Sequence, residues 1–190
     1  MGRGSSKAGG GSGGGGAKSI STKSLPKLEG SEKQIAWAES IRDKYIADIN
    51  RIIADGEFES SDLENYYYRG TGAMYGRMKD DTGEHHSTPY DRQLRKITAA
   101  NPNMSSREQI SKAEDYRQEL ITKAKGKRKA AWDKARAQGK RGEERKNIAR
   151  KAESDVYATE IIKWVKADLQ VSTKASSWID QFKGTKYSRR

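Results

Sequence analysis

Residues 123–146 read "KAKGKRKAAWDKARAQGKRGEERK", and whether this stretch lies against a core or stands away from one decides the fold. Lys and Arg dominate it, its apolar side dwindles to Ala130, Ala131, Trp132 and Ala135, and Gly126, Gly139 and Gly142 interrupt it. A helix that packs on a core needs large apolar residues recurring at three- and four-residue spacing. This stretch has almost none to bury. From Lys112 to Lys151 the chain carries 15 Lys or Arg against 6 Asp or Glu, a local charge of +9 within a formal total of +12.

Apolar density rises on both sides of it. Upstream, Ser31 and Gln34 form a capping-box pattern, and Ile35, Ala38, Ile41, Tyr45, Ile49 and Ile52 then recur at helical spacing, widened by Trp37, Ile46 and Ile53. Gly56 is a natural stop. A second box at Ser105 and Glu108 opens a long helix with Ile110, Ala113, Tyr116 or Arg117, Leu120, Ile121 and Ala124 on one side. The chain turns around "QGKRG", and a third helix runs from about Glu143 to Leu169 with Ile148, Ala152, Val156, Tyr157, Ile161, Trp164 and Val165. Ala175, Trp178, Ile179 and Phe182 share one side of a short last helix.

Between the first two helices, residues 57–104 are broken by Gly70, Gly72, Gly76, Gly83, Pro89 and Pro102. Only Tyr90 to Thr98 keeps a helical period, and a short hairpin pairing Tyr66–Tyr68 with Met74–Met78 is expected. Residues 1–27 are mostly Gly, Ser and other small residues and cannot offset their ordering entropy by burial.

The predicted fold is mainly α: a small helical core with a projecting basic helical hairpin, a loop-rich insertion and a disordered Gly/Ser-rich N-terminal tail. Its parts are the tail (1–27), an N-terminal core helix (28–56), a Tyr/Gly-rich loop insertion (57–104), a basic helical arm (105–155), and C-terminal core helices and tail (156–190).

Composition bounds the function. Ile, Leu, Val and Phe supply 25 of 190 residues, about 13% and below the roughly 20% at which highly charged chains tend to disorder. Partner burial in a homodimer would supply what this lean core lacks. The absence of Cys excludes disulfides and thiolate metal sites. No apolar run approaches the roughly 18 residues a membrane helix needs, and the N-terminus lacks a signal-peptide core. The expectation is a soluble protein of a bacterial cytoplasm with no membrane partner.

Two segments, "EGSEKQIAWAESIR" near the start and "ASSWID" near the end, resemble a pairing in small, poorly characterised phage and mobile-element proteins of Firmicutes-type bacteria. The opening "MGRGSSKAGGG" is similar to the start of several phage-encoded proteins of that group. The resemblance covers about 30 residues near the start and about 10 near the end. It implies that Trp37 and Trp178 sit in one small domain, with residues 57–150 an elaboration within it. It carries no catalytic residues.

Three sets of residues are candidate sites. Lys123, Lys125, Lys127, Arg128, Lys129, Lys134, Arg136, Lys140 and Arg141 concentrate positive charge that would displace counterions from nucleic acid, and Trp132 could stack on an unpaired base. The bland alternative is a hairpin charged for solubility, with Trp132 packed between its helices. The three glycines, each costing about 1 kcal/mol inside a helix, favour an arm that orders fully only on its partner. Tyr66, Tyr67, Tyr68, Arg69, Tyr75 and Arg77 form a candidate protein-contact surface, since Tyr and Arg dominate interface hot spots. The bland reading there is a loop whose tyrosines cap the core. "YYYRGTG" also resembles the arginine motif of ADP-ribosyltransferases, centred on Tyr68-Arg69-Gly70-Thr71. That fold needs further strands and a Glu-x-Glu element, and Glu143 and Glu144 are adjacent within the basic arm. His85 and His86 are the only histidines and point to opposite faces of an extended segment, which suits a metal poorly. No nucleotide-phosphate loop of the G-x-x-x-x-G-K-[ST] type occurs.

The sequence therefore predicts a non-catalytic binding protein of phage or mobile-element type, without cofactor or metal, that engages nucleic acid or a nucleoprotein complex through its basic arm. Two alternatives stand beside it: an anti-defence, anti-CRISPR-like inhibitor that binds a host nuclease directly, and a virion or scaffold component.

Overall fold

A computed structural model describes residues 19–55, 57–70, 80–84 and 87–189. Among them the chain forms six α-helices and no strand: α1 (Glu32–Asp55), α2 (Ser60–Arg69), α3 (Pro89–Ala100), α4 (Ser106–Ala137), α5 (Gly142–Leu169) and α6 (Ala175–Phe182). No helix among the described residues is long and apolar enough to cross a membrane.

The two predicted capping boxes form. Gln34 N donates to Ser31 Oγ at 3.4 Å while Ser31 N donates to Gln34 Oε1 at 3.0 Å. Glu108 N and Ser105 N make the corresponding bonds at 3.4 and 3.1 Å. A third box joins Thr88 to Asp91 with Pro89 at the first helical position, which starts α3 a residue ahead of the predicted period. The helical period of Tyr90 to Thr98 forms as α3, and the loop-rich insertion is corrected in one place: it also holds α2, so Tyr66–Tyr68 lie in a helix, not a hairpin. The other half of that hairpin, Met74–Met78, lies outside the described residues.

One continuous core joins all six helices. α1 turns in Ala38, Ile41, Tyr45, Ile46 and Ile49, and α6 meets it with Ala175, Trp178, Ile179 and Phe182. Trp178 stacks on Phe182 at 5.6 Å, and Tyr45 tilts over Phe182 at 5.0 Å. Trp37 packs against the same cluster, so it shares one domain with Trp178. The second half of the core belongs to the middle of the chain. Tyr67 meets Tyr90 and Trp164 with ring centroids 5.6 Å apart in each case, joining α2, α3 and α5. Residues 57–150, expected as an elaboration within the domain, supply part of its core through α2, α3 and the first half of α4.

The tail boundary also moves. Residues 19–27, expected in the disordered tail, are tied to α1: Ile20 is buried, and Asn50 holds it by accepting from its N–H at 2.7 Å and donating to its carbonyl at 2.8 Å. Arg42 donates to the Pro26 carbonyl at 2.8 Å with its guanidinium 5.0 Å from the Trp178 ring centroid. Residues 1–18 lie outside the described residues.

Two clasps cross the fold. Arg92 of α3 bonds the buried Asp168 of α5 at 2.7 Å. Gly70, which caps α2 at φ +57°, leaves room for that carboxylate: a Cβ there would stand 3.1 Å from Asp168 Oδ2. Asp81 reaches the start of α6, where Oδ1 accepts from Ser172 Oγ (2.9 Å) and Lys174 N (3.0 Å), and Oδ2 from Thr173 N (3.0 Å) and Thr173 Oγ1 (2.7 Å).

Candidate nucleic-acid interface

The arm is the distal part of the α4–α5 hairpin. It begins later than residue 105, because α4 first contributes Ala113, Tyr116, Leu120, Ile121 and Ala124 to buried or half-buried packing. Beyond Ala124 the helix runs on for 13 residues, about 20 Å at 1.5 Å per residue. Between Lys129 and Lys146 the only buried residue is Ala135. Ala149 is buried on α5 in turn, so each helix of the arm faces inward with a seam of small side chains. Ile148, expected on the apolar face of α5, is 37% exposed, and the inward position next to it is taken by Ala149.

The turn is set by Gly139. At φ +76° it occupies the left-handed position after the last helical turn, where Lys140 N bonds Ala135 O at 2.9 Å and Gly139 N bonds Arg136 O at 3.0 Å. These two bonds are a Schellman ending. Gly126 lies inside an unbroken α4, and Gly142 is the first residue of α5. The helix penalty expected from three glycines falls on one interior position, and the arm is helical in the chain alone.

Trp132 does not present a free ring. It is half-buried in the hairpin, and the Arg145 guanidinium of α5 lies 4.1 Å from its ring centroid. The antiparallel register brings Arg145 over one indole face, which favours the interhelical reading of Trp132 over base stacking.

The cations divide into two groups. Arg128 pairs with Glu153 at 2.9 Å, Lys129 with Asp133 at 2.8 Å, Lys140 with Glu144 at 2.5 Å and Lys146 with Glu143 at 2.6 Å. The Asp133 carboxylate raises the Lys129 pKa by hydrogen bond and charge, and Lys146 lowers that of Glu143 in the same way. Lys123, Lys125, Lys127, Lys134, Arg136 and Arg141 are all exposed and have no ion pair among the described residues. Arg150 and Lys151, absent from the sequence-based site, join them at the root of the arm. Their signal was the dense run "RKNIARK", which continues the basic stretch into the third helix. Arg150 also lines a cleft with Lys125, Arg128 and Glu153 beneath the start of α2.

Two members of the tyrosine set, Tyr66 and Tyr67, are corrected from contact surface to core. Tyr66 and Tyr67 are buried, and Tyr67 donates its hydroxyl to the Ala113 carbonyl at 2.6 Å. Tyr68 is half-buried, its hydroxyl bonded to Glu114 at 2.6 Å, and burial together with that carboxylate pushes its pKa up to about 12. Leu63, Tyr66 and Tyr67 share the inner face of α2, so helical spacing turns these rings into the core. Among the described members of the set, Arg69 is exposed. Tyr75, Arg77, His85 and His86 lie outside the described residues. The strand that the ADP-ribosyltransferase resemblance requires at Tyr68 and Arg69 is the last turn of α2.

Comparison with protein-family models, curated proteins and solved structures gives no match, so the functional reading rests on this geometry.

Proposed function

We propose that the chain is a non-catalytic binding protein of phage or mobile-element type whose α4–α5 hairpin engages nucleic acid or a nucleic-acid-loaded complex in the bacterial cytoplasm. One observation carries the reading. The distal hairpin, which buries little beyond Ala135 and Ala149, holds eight exposed cations without ion pairs among the described residues. Solubility alone would be served by alternating signs, which pair along a helix. Unpaired like charges repel one another, and a polyanion relieves that repulsion while releasing its own counterions. The phage assignment leans on the resemblance of the first and last helices.

The inhibitor reading loses part of its support, because Tyr66 and Tyr67, which were to contact a host protein, pack inside. The scaffold reading has only the opening segment behind it. Salt titration of binding to DNA and RNA, single- and double-stranded, tests the proposal: binding at low salt that weakens steeply with added salt is expected. No binding at low salt refutes it. A pull-down from host lysate that keeps its protein partner after nuclease treatment would favour the inhibitor.

A further inference from the structure

We infer that the arm takes double-stranded DNA, held by phosphates of both strands, in preference to a single strand or an RNA duplex. This rests on the nucleic-acid reading above and goes beyond it in naming the form recognised.

The placement of charge on α4 carries the argument. Lys123, Lys127 and Lys134 follow an i, i+4, i+11 spacing, and Lys125, Lys129 and Arg136 repeat it two residues later. At 3.6 residues per turn the members of each row lie within about 40° of one another, and the rows stand about 160° apart. Each row spans about 16 Å along the axis. The inward positions Ala124 and Ala135 lie between them on one side. On the other is an outward face of Gly126, Ala130, Asp133 and Ala137, all exposed.

A helix with cations on both flanks of an exposed face matches a ligand with two phosphate rails. The major groove of B-DNA is about 12 Å wide and admits one α-helix, which brings each row to the phosphates of a different strand. Asp133, the single acid on the outward face, pairs with Lys129 of one row at 2.8 Å, and a phosphate on that rail takes its place on the lysine. A-form RNA offers a deep, narrow major groove that does not admit the helix. A single strand has one rail and binds tightly where aromatic side chains stack its bases. The arm's one aromatic ring, Trp132, is already covered by Arg145.

The test uses the full chain and fluorescence anisotropy with a 20-base-pair DNA duplex, each of its strands alone, and the RNA duplex of the same sequence. Duplex DNA is expected to bind at least tenfold more tightly than the other three. Six phosphate contacts predict a log–log salt slope of about −5, or roughly a thousandfold loss between 50 and 200 mM salt. Neutralising one row with Lys123→Gln, Lys127→Gln and Lys134→Gln is expected to bring the slope to about −3, and neutralising the other row to do the same. Circular dichroism confirms that these exposed substitutions leave the helices intact. Equal or tighter binding of a single strand or of the RNA duplex overturns this inference while leaving the nucleic-acid reading in place, as would row variants that keep the full slope. No binding to any of the four overturns both.

Discussion

Replacing Asp81 by Ala tests the clasp that ties residues 80–84 to the start of α6. The side chain accepts four hydrogen bonds, two on each carboxylate oxygen, from residues 91 to 93 positions away in sequence. In the variant the Ser172 and Thr173 hydroxyls can turn to other acceptors, but the Thr173 and Lys174 N–H groups lose a charged one. Hydrogen bonds to a charged group contribute about 1.5–3 kcal/mol each and do not add fully, so a loss of about 3 kcal/mol is expected for the group. For a chain of this size that lowers Tm by about 6–12 °C. Asn should not rescue it: its NH2 must replace one of the two oxygens and face donors. The pH dependence follows from the same contacts. Burial works to raise the Asp81 pKa, but the bonds from Lys174, Thr173 and Ser172 together outweigh it and hold the carboxyl well below the usual carboxylate range. A depressed folded-state pKa contributes stability that is present above the unfolded value near 3.9 and is lost as pH falls through the folded one. Urea denaturation of wild type and Asp81→Ala at stepped pH should therefore show a gap that is full at pH 7 and narrows below about pH 4. A gap under about 0.5 kcal/mol at pH 7, or one that persists undiminished to pH 2, would refute the reasoning.

Ala135→Leu places three extra carbons in the alanine seam of the arm, where the native residue is 1% exposed. Overpacking of about 1–3 kcal/mol should splay the distal hairpin, and hydrogen exchange should quicken between residues 129 and 146 while the core amides keep their protection. Arg42→Met removes a buried guanidinium whose Nε and Nη2 have no hydrogen-bond partner among the described residues and whose pKa is lowered by burial. The lost bond to Pro26 and the contact with Trp178 are offset by the removed desolvation, so urea denaturation should find the variant within about 1 kcal/mol of wild type or more stable; a loss of about 3 kcal/mol or more would show that the cation itself holds residues 19–27 in place.

Much of the helical frame was legible because its signals are local. Ser31 with Gln34 and Ser105 with Glu108 marked two starts, "QGKRG" marked the turn, and the apolar periods of the first and last helices named their buried faces. α2 escaped for a physical reason. Its inward set is only Leu63, Tyr66 and Tyr67, and three consecutive tyrosines suggest a strand as readily as a helix. The period-3.6 pattern was present but short, and only packing against Trp164 and Tyr90 decides it. Trp132 was legible as an aromatic in a basic run. Its covering by Arg145 depends on the register of two antiparallel helices, which no local signal states. The two lysine rows were open to view in the spacing, but their meaning depends on knowing which side of α4 faces α5.

The continuity of α4 joins these observations. A single helix supplies Ala113, Tyr116 and Ile121 to the core and then carries the lysine rows outward through Gly126 without a break. The direction of the arm is therefore set by the same packing that stabilises the domain, and the Schellman turn and the Trp132–Arg145 contact hold its two strands of helix together at the far end. Had the glycines left the arm disordered, each residue fixed on binding would have cost about 1–2 kcal/mol of backbone entropy. A preformed arm avoids most of that cost and has only its flexible lysine side chains to order. On the proposed duplex, charge would then set the affinity and the fixed spacing of the rows the selectivity. An arm of equal charge on a disordered chain would bind any polyanion that its lysines could reach.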